Sequence, residues 1–163
     1  MAVTNLNHLT GHDPALLVAL FTVSTSTASA ATSPLGTTVT IGSPVLSQSR
    51  LLLTVPVDVS CSSSVFTTVS LHVFVEVRQA SGQGIAVGFG STDGLPFTCD
   101  DDTDTVFVLI QAFGSPFRGG LASAAAHVFL EGTDLQGTDT FDSVTEGPRT
   151  VRIVGGCVFT RGC

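Results

Sequence analysis

An all-β fold follows from three features of the sequence. Apolar residues recur at alternate positions in one segment after another, Val and Thr are abundant, and no stretch carries apolar residues at i, i+3, i+4 and i+7 between helix caps. The alternation is clearest from Leu51 to Cys61, where Leu51, Leu53, Val55, Val57, Val59 and Cys61 share one side and Leu52, Thr54, Pro56, Asp58 and Ser60 the other. A strand with one buried face has this pattern, so Cys61 points inward. Val65 to Arg78 repeats it, with Val65, Thr67, Val69, Leu71, Val73, Val75 and Val77 against a mixed face. Ser81 to Gly84 then turns the chain into a strand from Ile85 to Phe89, and Gly90 to Gly94 reads as a second turn. Thr105 to Phe113, Leu121 to Glu131 and Thr150 to Val154 supply further strands, and Thr37 to Ile41 precedes them all, which makes seven. Gly132 to Pro148 reads as a long polar connection before the last strand.

The first thirty residues stand apart from this pattern. Ala15 to Val23 (ALLVALFTV) is apolar except for Thr22, has the length of a secretory h-region and is too short to span a bilayer. Small residues follow, ending in Ala28-Ser29-Ala30, the A-x-A form that signal peptidase accepts. The expected organisation is therefore a signal peptide over residues 1–30, without the usual basic n-region, and one domain over residues 31–163. No second apolar stretch approaches the length of a membrane span.

Composition narrows the function classes. The chain has 163 residues, 43% of them hydrophobic and 12% charged, so it is not disordered for want of apolar residues. Its formal net charge is −7, and all six basic residues are Arg. An acidic chain with no basic cluster is a poor binder of nucleic acid. Lys, Tyr and Trp are absent, which removes Schiff-base lysines and the Trp or Tyr platforms on which sugar-binding modules stack a ring.

Four cysteines, Cys61, Cys99, Cys157 and Cys163, in a chain with an export signal read as two disulfides formed in an oxidising compartment. Four cysteines allow three pairings. Cys157 and Cys163 enclose only VFTRG, while Cys61 and Cys99 end two separate strand-like segments, which favours 61 with 99 and 157 with 163. Loop-closure entropy makes the long bridge worth about 4 kcal/mol and the short one about 2.4 kcal/mol. There is no C-x-x-C and no adjacent His pair, which argues against zinc.

Seven short alternating strands with Gly, Pro, Ser and Asp between them predict an immunoglobulin-like antiparallel β-sandwich, stapled by disulfides. The segment Phe97-Thr98-Cys99-Asp100, a polar turn, Thr105-Val106-Phe107-Val108 and then Phe117-Arg118-Gly119-Gly120-Leu121-Ala122 is similar to small secreted actinobacterial proteins of unknown function. Those proteins carry a Cys-Asp-Gly turn, an aromatic strand and a Phe-x-x-Gly-x-Ala strand start, with an upstream cysteine where Cys61 stands. The resemblance covers about Leu51 to Leu130; Asp101 takes the place usually held by Gly, and Phe107 that often held by Trp. It implies an exported immunoglobulin-like domain and brings no catalytic residues.

Several residue groups could carry chemistry. Asp100, Asp101, Asp102 and Asp104 offer hard oxygen ligands for calcium, but Thr105 and Gln111 occupy the positions where an EF-hand loop needs Gly and Glu, so the run reads as a solvated turn. His72-Val73-Phe74-Val75-Glu76 is echoed by His127-Val128-Phe129-Leu130-Glu131. If these strands pair with Phe74 opposite Phe129, His72 faces Glu131 and His127 faces Glu76 on the outer face, forming cross-strand pairs, a partner-binding patch or a His/Glu metal site. The ring from Cys157 to Cys163 could present Arg161 to a trypsin-like protease, or simply stop the terminus fraying.

Catalytic arrangements are not evident. Two His lie beyond residue 30, both in strand patterns, no Ser sits in G-x-S-x-G, and GFGSTDG has the wrong spacing for a dinucleotide loop. The expectation is an exported, non-catalytic binding or structural module without a cofactor, acting outside the cell or at its surface on a protein or cell-wall component. A secreted protease inhibitor using Arg161 is the alternative.

Overall fold

The computed structural model describes residues 35–62, 69–82, 84–133 and 137–155. The expected signal peptide, the start of the strand from Val65, and the ring of Cys157, Arg161 and Cys163 lie outside the described residues.

The described chain is all-β and contains no helix. Its strands are β1 (Thr38–Ile41), β2 (Val45–Leu46), β3 (Leu52–Ser62), β4 (Val69–Ser81), β5 (Gly84–Phe97), β6 (Asp100–Gly114), β7 (Gly120–Thr133) and β8 (Asp139–Gly155). They form one eight-stranded sheet in the order β1-β3-β2-β8-β7-β4-β5-β6, with β3 also paired to β6. Because β1 and β2 line successive stretches of one edge of β3, the β3–β6 ladder returns the hydrogen bonding to its starting strand. All pairings are antiparallel except β2 with β8, where Val45 meets Val154 and Leu46 meets Gly155.

The period-two pattern places the core as the sequence implies. Leu53, Val55, Val57 and Val59 of β3, Leu71, Val73, Val75 and Val77 of β4, and Val128 and Leu130 of β7 all point inward and are essentially inaccessible. Burying each such side chain contributes roughly 1.5–3 kcal/mol before the entropy of ordering it. Phe117, in the β6–β7 connection, is the largest fully buried side chain. Cys61 and Cys99 join the end of β3 to the residue before β6, with Cα atoms 4.8 Å apart.

One expected turn and one expected long connection lie largely in strands instead. Gly90 to Gly94 lies inside β5, which pairs with β4 from Ser81↔Gly84 to Val69↔Phe97. The glycines serve another purpose here: a Cβ on Gly90 would stand 2.2 Å from the Leu109 carbonyl oxygen, so β5 can cross this close to β6 only without a side chain. Further on, Asp93 and Gly94 both oppose His72 in a β-bulge, and Gly94 takes the left-handed φ of +63° that the bulge uses. The polar stretch from Gly132 to Pro148 is mostly β8, paired with β7 from Thr133↔Asp139 onward. Its polarity misled because the inward position normally held by a hydrophobe is Asp142, buried at 3% exposure and accepting a 2.6 Å hydrogen bond from the Thr37 hydroxyl.

Candidate binding face

The four-strand run β8-β7-β4-β5 turns one side of its pleat to the core and the other to solvent. His72, Phe74, Glu76, His127, Phe129 and Glu131 all occupy solvent-facing positions of β4 and β7. Their pairing differs from the expected one. Phe74 is opposite His127, and His72 is opposite Phe129, a slip of two residues from the Phe74↔Phe129 register. A slip of two leaves every side chain on its own face and changes only its neighbours.

The slip dissolves both expected His/Glu pairs. Glu131 stands opposite Ser70 and Glu76 opposite Ala125. His72 instead receives the Gly94 amide on Nδ1 at 3.3 Å within the β5 bulge, with Asp93 at 3.6 Å, and His127 Nδ1 lies 3.0 Å from the Thr145 hydroxyl of β8. Arg78 donates to Glu76, two residues before it on the same strand.

What the slip creates is a diagonal. Phe141 of β8 is opposite Glu131, and Phe129 sits two residues along β7; Phe129 is opposite His72, and Phe74 sits two residues along β4. The same step repeats twice more: Phe74 is opposite Ser91, two residues from Phe89 on β5, and Phe89 is opposite Gln111, two residues from Phe113 on β6. Five adjacent strands therefore each place one phenylalanine on a single oblique line. Sheet twist brings such diagonal neighbours within ring contact. Phe141 and Phe129 have centroids 5.7 Å apart, Phe129 and Phe74 meet edge to face at 5.7 Å, and Phe89 and Phe113 are 6.2 Å apart. Phe74 and Phe89 bound an open groove of about 360 Å³, with Glu76 and His127 at its rim. Phe74, Phe89, Phe113 and Phe141 are 42–55% exposed.

At the Phe141 end the stripe meets a second open cavity, of about 490 Å³, lined by Glu131, Asp139, Ser70 and Thr140 among others. Neither Glu131 nor Asp139 forms an ion pair among the described residues; Asp139 accepts the Thr133 hydroxyl at 3.0 Å. Phe89, Phe113 and Phe141 were not legible as members of one surface. Phe141 lies in a segment whose polar composition signals a connection, and the other two are joined to it only through the register of four ladders.

The acidic run behaves differently from a solvated turn. Asp100 to Asp104 begins β6, pairing with the end of β3, and a bulge opposite Cys61 gives Asp101 a left-handed φ of 70°. The Asp100 carboxylate accepts the Asp102 amide at 3.2 Å, and Asp58 of β3 accepts the Thr105 hydroxyl at 2.6 Å. Among the described residues no three His, Cys, Asp or Glu side chains come together as a metal site would require. A scan against protein-family models finds no match for this chain, and no curated protein matches it.

Proposed function

We propose that the chain is an exported, non-catalytic binding or structural module, acting outside the cell or at its surface through the aromatic face of β6, β5, β4, β7 and β8. The observation that carries this reading is the diagonal of five phenylalanines, four of them exposed and the fifth, Phe129, half-buried between Phe74 and Phe141. Soluble monomers rarely leave contiguous apolar patches exposed without using them. Such a side chain gains its transfer free energy only when a partner covers it.

An immunoglobulin-like arrangement is the finer reading of the fold. In its support, β1, β3 and β6 pair as the first, second and fifth strands of that fold do, and β4, β7 and β8 as the third, sixth and seventh do. β5 departs from the pattern by pairing with both β4 and β6. The Cys61–Cys99 bridge is compatible with an oxidising compartment. Among the described residues no helix is long and apolar enough to cross a membrane. The likeness to small secreted actinobacterial proteins points the same way.

The test is capture from culture supernatant and cell-wall fractions, using the native chain and a Phe74→Ser/Phe129→Ser variant. The native chain is expected to retain a partner that the variant loses, and N-terminal sequencing of the exported form is expected to begin at Ala31. Identical capture by both forms, or an intact Met1 on the exported protein, refutes the reading.

A further inference from the structure

Taking this face as a binding surface, we propose that its occupant is a segment of another protein that lays apolar side chains along the phenylalanine stripe and places an Arg or Lys beside Phe141. The stripe runs four diagonal strand steps of about 7–8 Å each, on the order of 30 Å. Its two ends differ in chemistry. The groove between Phe74 and Phe89 is apolar and open, and suits an aliphatic or aromatic side chain. The cavity beside Phe141 carries the carboxylates of Glu131 and Asp139, with Ser70 and Thr140 completing a polar wall.

The charges around the stripe choose the partner. Of the described cations on this face, Arg78 is engaged by Glu76 and Arg149 by Glu146 at 3.4 Å, while Arg152 stands opposite Leu121, eleven residues along β8 from Phe141. Glu131 stands directly opposite Phe141 across the β7–β8 ladder, and Asp139 is two residues from Phe141 on β8. A guanidinium or ammonium seated there meets two carboxylates and the face of an aromatic ring together, and an aromatic ring beside carboxylates attracts a cation through its quadrupole. A second copy of the chain would bring the same carboxylates and another net negative charge to the contact. Nucleic acid and anionic lipid meet the same repulsion.

The experiment measures anisotropy of a fluorescein-labelled peptide with alternating leucines, blocked termini and one arginine at its end, against the same peptide with glutamate in place of the arginine. The arginine peptide is expected to bind the full-length oxidised chain at least tenfold more tightly. Glu131→Gln is expected to erase that preference and leave the leucine-dependent binding. Asp102→Asn, an equal charge change on β6, is expected to leave the preference intact. Phe74→Ser/Phe129→Ser is expected to lose both peptides, with far-UV circular dichroism confirming that each variant is folded. If both peptides bind equally and the phenylalanine variant still loses them, the cationic occupant is wrong while the binding face stands. If neither peptide binds at millimolar concentration, or the phenylalanine variant binds as the native chain does, the proposal falls. Sedimentation showing a dimer that the phenylalanine variant abolishes overturns it in favour of a second copy.

Discussion

Replacing Cys61 and Cys99 together by alanine removes the bridge while leaving the geometry around it in place. The β3–β6 ladder already holds those chain ends together, since Ser60 pairs with Thr103 and Ser62 with Asp100. The cost therefore falls mainly on the unfolded state, which regains the freedom of a chain cross-linked across 38 residues. Loop-closure entropy sets this at about 4 kcal/mol, and the small voids left by two buried sulfurs add about 1 kcal/mol. A domain of this size has roughly 5–15 kcal/mol of stability in all, so the variant is expected to be folded only marginally. With a urea slope of about 1.5–2 kcal/mol/M, the midpoint is expected to fall by about 2–3 M, and the slope to rise as the unfolded chain expands. Far-UV circular dichroism is the suitable probe, because the chain has neither Trp nor Tyr. Cys157 and Cys163 stay untouched, so the change reports one bridge. A midpoint within about 0.5 M of the native chain would refute this reasoning.

Three further substitutions test the packing by the same urea titration. Phe117→Ala empties the largest fully buried site and is expected to cost about 3–5 kcal/mol; a loss under about 1 kcal/mol would mean that the loop carrying it is not part of the core. Gly90→Ala drives a methyl group into the Leu109 carbonyl and is expected to destabilise the chain by about 1–3 kcal/mol through forced separation of β5 and β6, whereas a residue in an open turn would tolerate alanine without loss. Thr37→Val removes a donor from the buried Asp142 carboxylate and is expected to cost about 1.5–3 kcal/mol; an unchanged midpoint would show that this hydrogen bond does not contribute to stability.

Alternation along the chain was enough to say which side of each long strand is buried. Leu53 to Val59 and Leu71 to Val77 needed no partner strand to be assigned, because a pleated strand facing water on one side can hide only every second residue. The same rule sent Cys61 inward, and the position of Cys61 and Cys99 at the ends of two separate segments favoured their pairing, as the structure has it. It likewise put His72, Phe74, Glu76, His127, Phe129 and Glu131 on the solvent side. The period is blind to register, however: moving one strand by two residues keeps every face and changes every neighbour. Whether His72 met Glu131 or Phe129 was decided by contacts far apart in the chain. Glycine and polar residues were the other source of error. Gly90 signals a turn locally but answers to Leu109 of the next strand, and Asp142 signals a loop but answers to Thr37, more than a hundred positions away. The aromatic diagonal belongs to this second category. Each phenylalanine is a local fact of its strand, and their line exists only because four ladders align them, since register belongs to the pairing of two segments and not to either one alone.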